Sequence, residues 1–325
     1  MTRHYLSVDI GGTSLRLALI EESGEILLQR NLASDLVRKG EELLKVLAEE
    51  TRDLIKESKE RGGSIGGLAL GVPGLVDARH GIVRQSPHFP LWRDLALREP
   101  LQKVFPFPVV MDNDANHAAL GEAWLGAGKD WPDFILITLG TGVGGGIILN
   151  GQIFRGPSGF AGEIGHIVID RNGLPGALGS RGTLETLVSQ SGLKLQSQRL
   201  WENAGKETGA TILDLDPEAS DLPKTLFDLA AEGVEAAQSI WKEFGSALGC
   251  GIASLANAFG FLRFAIGGGL SGAWKFFDES CRKEIEARTY ETLAAEIQVV
   301  PATLGNDAGL IGGVRAVQLA QQPKK

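Results

Sequence analysis

The stretch YLSVDIGGTSLRLALI, residues 5–20, decides how this chain folds. One apolar run ends at Ile10, a Gly-Gly-Thr bend follows, and a second apolar run begins at once, which predicts two antiparallel strands joined by a tight turn. A third run, ILLQR at 26–30, completes a meander. Gly11 and Gly12 let backbone N–H groups approach an anion that a side chain would block, so the bend is a candidate phosphate site.

The same pattern recurs near the middle of the chain. FILITL at 134–139 runs into the bend Gly140-Thr141-Gly142, the strand GIIL, the hairpin pair Asn150-Gly151 and the segment QIFRG. Either bend alone is better explained as a tight turn. Two copies of the same strand-bend-strand pattern indicate an internal duplication. The pair of bends favours a polyphosphate ligand held from two sides.

The other segments alternate helices and strands, which predicts an α/β fold. Apolar spacing predicts helices at 41–60, 234–259 and 274–288, and a last helix after a plausible N-cap at Asn306-Asp307. Strands are expected before the turn at 71–74, before the acidic corner at 112–114 and before the glycines at 267–269. Strand ends are where open α/β sheets bind ligands. A hinge is expected near 116–125, and the polar segment 195–223 receives no assignment.

Composition narrows the function classes. The 325 residues include 43% hydrophobic residues and carry a net charge of −8 without long blocks of like charge, which argues against nucleic acid or an anionic membrane as partner. No apolar run reaches the roughly 18–20 residues of a membrane-spanning helix, and the first residues lack the apolar segment of a signal peptide. Cys250 and Cys281 fit reduced thiols. We expect a globular cytoplasmic protein.

Two carboxylates lie at strand ends or corners. Asp9, at the tip of the first strand, could hold Mg²⁺ through water. Asp114 could act as general base toward a substrate hydroxyl, with the amide of Asn113 beside it to donate and accept hydrogen bonds. For an isolated Asp at such a position, capping of the following helix is the stronger interpretation.

The stretch GEIGHIVIDRNGLPGALGSRGTLE, residues 162–185, offers a further polar group. A sugar is recognised by fixed donors and acceptors around its hydroxyls, and Glu163, His166 and Glu185 supply both. A satisfied structural histidine is an equally good account of His166.

Together these segments resemble the ROK (repressor, open reading frame, kinase) family, whose sugar kinases are similar to bacterial glucokinases within the actin-like ATPase superfamily. The motifs are DIGGT (9–13), LGVPG (70–74), DNDANHAALGE (112–122), LGTGVGGGII (139–148), GEIGH (162–166), IGGG (266–269) and NDAGLIGG (306–313). The resemblance implies a two-lobed actin-like ATPase (ribonuclease H-like) fold with a central ligand cleft. One α/β lobe would comprise 1–117, completed by the helix at 306–325, and the larger lobe 118–305.

The resemblance also implies a role for each motif. The protein would transfer the γ-phosphoryl group of ATP to a hexose hydroxyl, with Asp114 as the base and Asp9 positioning Mg²⁺. The sugar would be bound by Gly74, Asn113, Asp114, Glu163, His166 and Glu185. The ATP phosphates would lie against Gly11, Gly12, Thr13, Gly140, Thr141 and Gly142, and the nucleoside against Gly268 and Gly269. Relatives are commonly homodimers, so a dimer is expected.

One segment departs from the family pattern. Members usually follow Glu-x-Gly-His with C-x-C-G-x-x-G-C-x-E, whose cysteines join the histidine in a tetrahedral zinc site. Here Gly176, Leu178 and Thr183 replace the cysteines, whereas Gly179, Gly182 and Glu185 are retained. We therefore expect no structural zinc. The loop should instead be held by apolar packing of its side chains, namely those of Leu174, Ala177, Leu178 and Leu184.

Other functions remain open at this point. The donor could be polyphosphate, the acceptor fructose or an N-acetylhexosamine, and a sugar-binding protein without catalysis would keep the same pocket. Family repressors carry a helix-turn-helix module ahead of the kinase-like body. Because the meander starts almost at the first residue, a DNA-binding role is not expected.

Overall fold

The computed structural model describes residues 2–12, 14–34, 39–176, 179–204 and 221–322, with 200–204 as backbone only. The strands are β1 Thr2–Ile10, β2 Ser14–Glu21, β3 Ile26–Ala33, β4 Gly63–Val72, β5 Leu75–Asp77, β6 Ile82–Gln85, β7 Arg93–Ala96, β8 Val109–Asn113, β9 Phe134–Leu139, β10 Val143–Leu149, β11 Gln152–Ile153, β12 Arg263–Gly267 and β13 Gln298–Pro301. The α-helices are α1 Gly40–Glu60, α2 Arg98–Val104, α3 Asp114–Leu125, α4 Gln190–Ala204, α5 Leu222–Ala231, α6 Glu235–Phe259, α7 Trp274–Arg288, α8 Glu291–Ala294 and α9 Ala308–Ala320.

Two five-stranded sheets have the same topology. The first has the order β3-β2-β1-β4-β8 and the second the order β11-β10-β9-β12-β13, and β5, β6 and β7 form a smaller third sheet. In the first sheet β1 pairs antiparallel with β2 and parallel with β4, and β4 pairs parallel with β8. Each sheet thus has a meander followed by two further strands, which confirms the internal duplication.

The chain divides into two compact units. The first comprises Met1–Leu136, Gly146–Gly162 and Ala302–Lys325, and the second Ile137–Gly145 and Glu163–Pro301. These bounds differ from the lobes 1–117 and 118–305. Helix α3 packs closely on α9, and residues 118–136 therefore belong to the first unit. A Cβ atom at Gly312 of α9 would fall 1.6 Å from the carbonyl oxygen of His117, so only glycine permits this approach.

Each unit has its own apolar core. In the first unit, Leu6, Val8, Leu43 and Leu68 belong to one buried cluster formed by sheet and helix residues. In the second unit, α6 and α7 pack through aromatic rings, with Phe244 of α6 and Phe277 of α7 at 5.0 Å between centroids. Within the described part of the chain, no helix is long and apolar enough to cross a membrane.

Several local expectations are refined. Residues 195–204 of the unassigned polar segment extend α4, residues 222–223 open α5, and 205–220 lie outside the described residues. Asp307 occupies the N-cap position of α9, yet its side chain makes no capping hydrogen bond, because a 3₁₀ turn leads into the helix. Cys250 and Cys281 are free thiols, and burial raises the pKa of Cys281 to about 12.

Candidate functional site

The acidic corner between β8 and α3 is built around Asn113. Its side-chain oxygen accepts hydrogen bonds from the backbone N–H groups of Ala115 and Asn116, which makes Asn113 the N-cap of α3. Asp114 is the first helical residue, and its Oδ1 accepts from the N–H of Ala115 at 2.9 Å. The capping role considered for Asp114 therefore belongs to its neighbour.

Asp112 is buried behind this corner and holds it in place. Its Oδ1 accepts from the backbone N–H of Asn113 at 2.8 Å and from Nδ2 of Asn116 at 2.9 Å. Its Oδ2 accepts from Nε and Nη2 of Arg155 at 2.9 and 2.5 Å. Both oxygens of this carboxylate thus accept two hydrogen bonds each, and those at Oδ1 fix the residues on both sides of Asp114. Sequence reasoning missed Arg155.

A loop after β6 connects the turn at Gly74 with the first glycine bend. The Nδ2 of Asn113 donates to the carbonyl oxygen of Gly74 at 3.1 Å. Gly74 has a φ of 103°, and a Cβ there would lie 2.3 Å from the carbonyl oxygen of Gln85. Further along, the exposed His88 ring lies 3.1 Å from where a Cβ of Gly12 would stand. The loop therefore brings His88, which sequence reasoning missed, onto the candidate phosphate bend.

Asp9 is buried at the end of β1 and paired. Its carboxylate accepts a hydrogen bond from Arg16, which also donates to the carbonyl oxygen of Asn306. Burial raises the pKa of Asp9, and the guanidinium of Arg16 opposes that rise. The first turn of α9 approaches as well, since a Cβ at Gly309 would lie 3.2 Å from Oδ2 of Asp9. Thr13 of this bend lies outside the described residues.

In the second unit, Glu185 is docked on the second glycine bend. Its Oε2 accepts from the backbone N–H of Val143 at 2.9 Å. A Cβ at Gly142 would stand 2.5 Å from the same oxygen, so glycine is what lets the carboxylate approach. The bend is closed by Gly140 N–H donating to the carbonyl of Gly142 at 3.0 Å. The candidate sugar ligand Glu185 and the candidate phosphate bend are therefore direct neighbours.

Glu163 and His166 lie beside that carboxylate. Glu163 precedes a short 3₁₀ turn that ends at His166, and the carboxylate lies 3.9 Å from Nε2 of the imidazole. Burial raises the pKa of Glu163, the imidazole lowers it and the negative charge of Glu185 raises it further. Three groups predicted to bind a sugar thus share one electrostatic neighbourhood.

Gly268 and Gly269 lie on the other side of the bend. Gly268 has a φ of 81°, and a Cβ there would lie 2.3 Å from the carbonyl oxygen of Leu139, the residue before the bend. The backbone N–H of Gln190 also donates a hydrogen bond to the carbonyl oxygen of Gly140 at 2.9 Å, which connects α4 to the bend. A cavity of about 420 Å³ extends from here; among its lining residues are Gln190, Phe227, Trp241, Gly269 and Leu270.

The loop that replaces the cysteine segment is closed by backbone contacts. The N–H of Gly182 donates to the carbonyl of Leu174 at 2.7 Å, and Thr183 forms a β-bridge with Val168. Leu184 is fully buried, whereas Ala177 and Leu178 lie outside the described residues. Over the described ranges, no group of three His, Cys, Asp or Glu side chains could hold a metal ion.

The predicted site residues fall into two local groups. In the first unit, the structure brings together the corner at Asn113 and Asp114, the Gly74 turn and the Gly11-Gly12 bend, with Asp9 at the end of the adjoining strand. In the second unit, the group comprises Gly140, Thr141, Gly142, Glu163, His166, Glu185, Gly268 and Gly269.

Comparison with known proteins gives consistent results. The ROK family model matches residues 5–322. A glucokinase of Halalkalibacterium halodurans is 36% identical over 313 residues, which cover 96% of this chain and 94% of that protein. A xylose repressor of Caldicellulosiruptor bescii is 28% identical over 312 residues, covering 96% of this chain and 77% of the repressor.

A solved structure extends the similarity to three dimensions. A ROK family glucokinase from Streptomyces griseus, crystallised in complex with glucose and AMPPNP, has a TM-score of 0.75 at 30% identity, and the match covers 97% of this chain and 99% of that one. The fold class expected from the sequence, an α/β fold of the actin-like ATPase type, is therefore confirmed.

Proposed function

We propose that this chain, which belongs to the ROK family, is a sugar kinase that transfers the γ-phosphoryl group of ATP to a hydroxyl of a hexose. Glucose is the first acceptor to test, because the Halalkalibacterium halodurans relative is a glucokinase and the Streptomyces griseus glucokinase was crystallised with glucose and AMPPNP, an ATP analogue.

The observation that carries the proposal is the order of groups in the second unit. Glu185 contacts Gly142 on one side of the bend, and Gly268 packs against Leu139 on the other. A sugar-binding carboxylate, a phosphate-sized bend and a nucleoside-sized cavity therefore follow one another through direct contacts. A phosphoryl donor and its acceptor need this order, since the transferred group lies between nucleoside and sugar.

The cavity beyond Gly269 suits a nucleoside. Its volume of about 420 Å³ lies within the range of roughly 300–1,000 Å³ that small-molecule sites occupy. Phe227 and Leu270 give it apolar walls for a base, and the side chain of Gln190 supplies an amide for polar contacts. We assign the adenosine of ATP to this cavity.

Asp114 is assigned as the general base. Its position at the start of α3 favours a charged carboxylate, because the helix N-terminus carries partial positive charge. An ionised carboxylate within reach of the sugar hydroxyl accepts its proton as the phosphoryl group is transferred. Asn113 and Asp112 hold the backbone around it, so the acceptor is fixed before substrate arrives.

Mg²⁺ would accompany the nucleotide, and Asp9 is the residue assigned to it. A single carboxylate at a strand end fits an ion that keeps most of its water when bound to phosphates. The bound ion would neutralise charge on the phosphates. Asp9 would position it while paired with Arg16, which adds a second positive charge to the same neighbourhood.

A sugar-binding protein without phosphoryl transfer is the second candidate function. The observation in its favour is the match to a xylose repressor over 96% of this chain. Sugar binding would then depend on Glu163, His166 and Glu185. The glycine bends and the cavity assigned to ATP would take part in no reaction.

The deciding experiment is an ADP-release assay of the purified chain with Mg-ATP. The acceptors are glucose, fructose, mannose, N-acetylglucosamine, N-acetylmannosamine and a blank without sugar, each repeated with polyphosphate as donor. Turnover with ATP and one hexose above the blank supports the proposal and identifies the acceptor. Calorimetric sugar binding without turnover for any pair supports the non-catalytic candidate.

A further inference from the structure

A second cavity lies on the second unit, along α6 and α7. It has a volume of about 450 Å³. Its lining consists of Gln238, Lys242, Lys275, Phe276, Glu279, Ser280 and Lys283. Three lysines and one glutamate therefore face one concave space, on a chain whose net charge is −8. No group of the proposed sugar and phosphate sites is among them.

The charges of this lysine cavity are only partly balanced by protein groups. Glu279 pairs with Lys283 at 2.5 Å, and both side chains are largely exposed. The hydrogen bond from Lys283 lowers the pKa of Glu279, and attraction to Lys242 adds to it. Glu286 also attracts Lys283, but it is not among the lining residues, so the lining itself carries three ammonium groups against one carboxylate. Such a concave cationic surface attracts a multivalent anion.

Lys275 lies at the wall between the lysine cavity and the proposed adenosine cavity. Its Nζ lies 4.8 Å from the ring centroid of Phe227 and 4.7 Å from that of Phe276, and the two rings meet edge to face at 5.2 Å. Phe276 lines the lysine cavity, whereas Phe227 lines the adenosine cavity. A cation over two aromatic rings stabilises their arrangement.

We propose that the lysine cavity binds a small organic phosphate, and that its occupancy weakens nucleotide binding through Lys275 and Phe227. The phosphate monoester would lie among the ammonium groups of Lys242, Lys275 and Lys283. The volume leaves room for more than a phosphate ion, and Gln238, Ser280 and the Phe276 ring provide polar and apolar contacts for an organic body.

The coupling follows from competition for one ammonium group. A phosphate dianion attracts the ammonium group of Lys275 more strongly than two aromatic rings do. The dianion carries full negative charge, whereas each ring offers only the partial negative charge of its face. When Lys275 turns toward the phosphate, Phe227 loses one of the two contacts that hold it in the wall of the adenosine cavity and keeps only the edge-to-face contact with Phe276. The phosphate site itself does not depend on the proposed function, whereas this coupling rests on it.

Binding is tested by calorimetry with the whole chain. The probes are a hexose 6-phosphate, uridine monophosphate and inorganic phosphate, each titrated without nucleotide and again in the presence of AMPPNP and sugar, which fill the kinase site and exclude the probe from it. We expect one of the two organic phosphates to bind, which identifies the source of the ligand, and inorganic phosphate to bind more weakly. No binding of either organic phosphate, or equal affinity for inorganic phosphate, overturns the assignment.

Variants locate the site. The double variant Lys242→Glu and Lys283→Glu should weaken organic phosphate binding by about tenfold or more, because two favourable charge contacts become repulsive. A matched double variant, Lys56→Glu and Lys103→Glu, changes net charge equally at exposed positions on α1 and α2 and should leave affinity unchanged. Glu279→Gln should strengthen binding, since it removes the competing carboxylate. Equal effects of the two double variants would place the ligand elsewhere.

The coupling is tested by titrating AMPPNP with and without saturating organic phosphate. We expect the organic phosphate to weaken AMPPNP binding by about fivefold, at the low end of typical coupling, and the effect to disappear in Lys275→Met. An unchanged AMPPNP affinity in the original chain would overturn the coupling. Absence of any AMPPNP binding would instead count against the proposed kinase function, because the direct phosphate titration does not require the nucleotide.

Discussion

The pair between Arg155 and Asp112 allows a quantitative test of how the corner beside Asp114 is held. Arg155→Met removes the guanidinium that donates twice to Oδ2 of Asp112 and leaves that carboxylate buried, with 2% of its side chain exposed. Removing one partner of a fully buried pair costs about 3–5 kcal/mol, whereas exposed pairs contribute about 0.2–1 kcal/mol. Arg155 itself is 41% exposed, so water reaches one side of the pair. We expect an intermediate loss of about 2–3 kcal/mol.

That loss converts to a shift in melting temperature. At ~2.1 cal/mol/K per residue, 325 residues give an unfolding entropy of about 0.7 kcal/mol/K, so Arg155→Met should lower Tm by about 3–4 °C. Arg84→Met is the matched control. Arg84 is 40% exposed and pairs with Asp77 and Asp94, which are 15% and 71% exposed. Its loss should shift Tm by about 1 °C or less, because Asp94 stays solvated and Asp77 keeps its hydrogen bonds from His80.

A double-mutant cycle separates the pair from its surroundings. Asp112→Asn in the Arg155→Met background removes the charge that was left unpaired, so the double variant should be more stable than the sum of the two single effects predicts, with a coupling of about 1–2 kcal/mol. The reasoning is refuted if Arg155→Met costs no more than Arg84→Met, or if the two changes at Asp112 and Arg155 are additive.

Four further outcomes are expected. Asp114→Asn should lower kcat by about 10²–10⁴-fold while calorimetric sugar affinity persists; near-normal turnover contradicts the base assignment. Burial, opposed by Asp112 and assisted by Arg155, lowers the pKa of His117 from 6.5 to about 4. Between pH 6.5 and about pH 4 the unfolded chain therefore binds one proton more at His117 than the folded chain does. As the pH falls through this range, the free energy of unfolding should decrease by roughly 3 kcal/mol, and His117→Asn should remove this decrease. Glu122→Gln should cost about 1–3 kcal/mol in urea titrations, because its buried carboxylate accepts from the N–H groups of Ala127, Thr303 and Leu304; exposed Glu99→Gln should cost little. Metal analysis of protein purified without chelator should find no zinc, and one zinc per chain would contradict this expectation.

The fold could be predicted from sequence because its signals are local and repeated. The helix at 274–288 and the strand at 134–139 match α7 and β9 in their bounds. The apolar residues of α7 recur with the helical period, and β9 is a short continuous apolar run that ends at a glycine bend. The repeated meander could be recognised for the same reason, since each copy carries its own bend of glycines after an apolar strand.

The contacts that build the site carry no such signal. Glu185 meets Val143 across 42 positions, and His88 reaches Gly12 through a loop whose path depends on the third sheet. Glu122 stands in a helix where glutamate ordinarily faces water, yet it is fully buried by loop residues about 180 positions away. Residue type alone cannot predict such pairings, because they arise only when distant segments pack.

The corner at Asn113 and Asp114 shows how structure changes the weight of a sequence interpretation. A carboxylate before a helix is ordinarily a cap, and on sequence alone that account of Asp114 was the stronger one. The structure gives the cap to Asn113, whose oxygen accepts from two backbone N–H groups, while its amide holds Gly74. The capping role therefore does not require a carboxylate at Asp114. What the position supplies is a carboxylate at a helix N-terminus, on a backbone fixed by buried Asp112, and the base that we propose requires such a position to accept a proton from a bound hydroxyl.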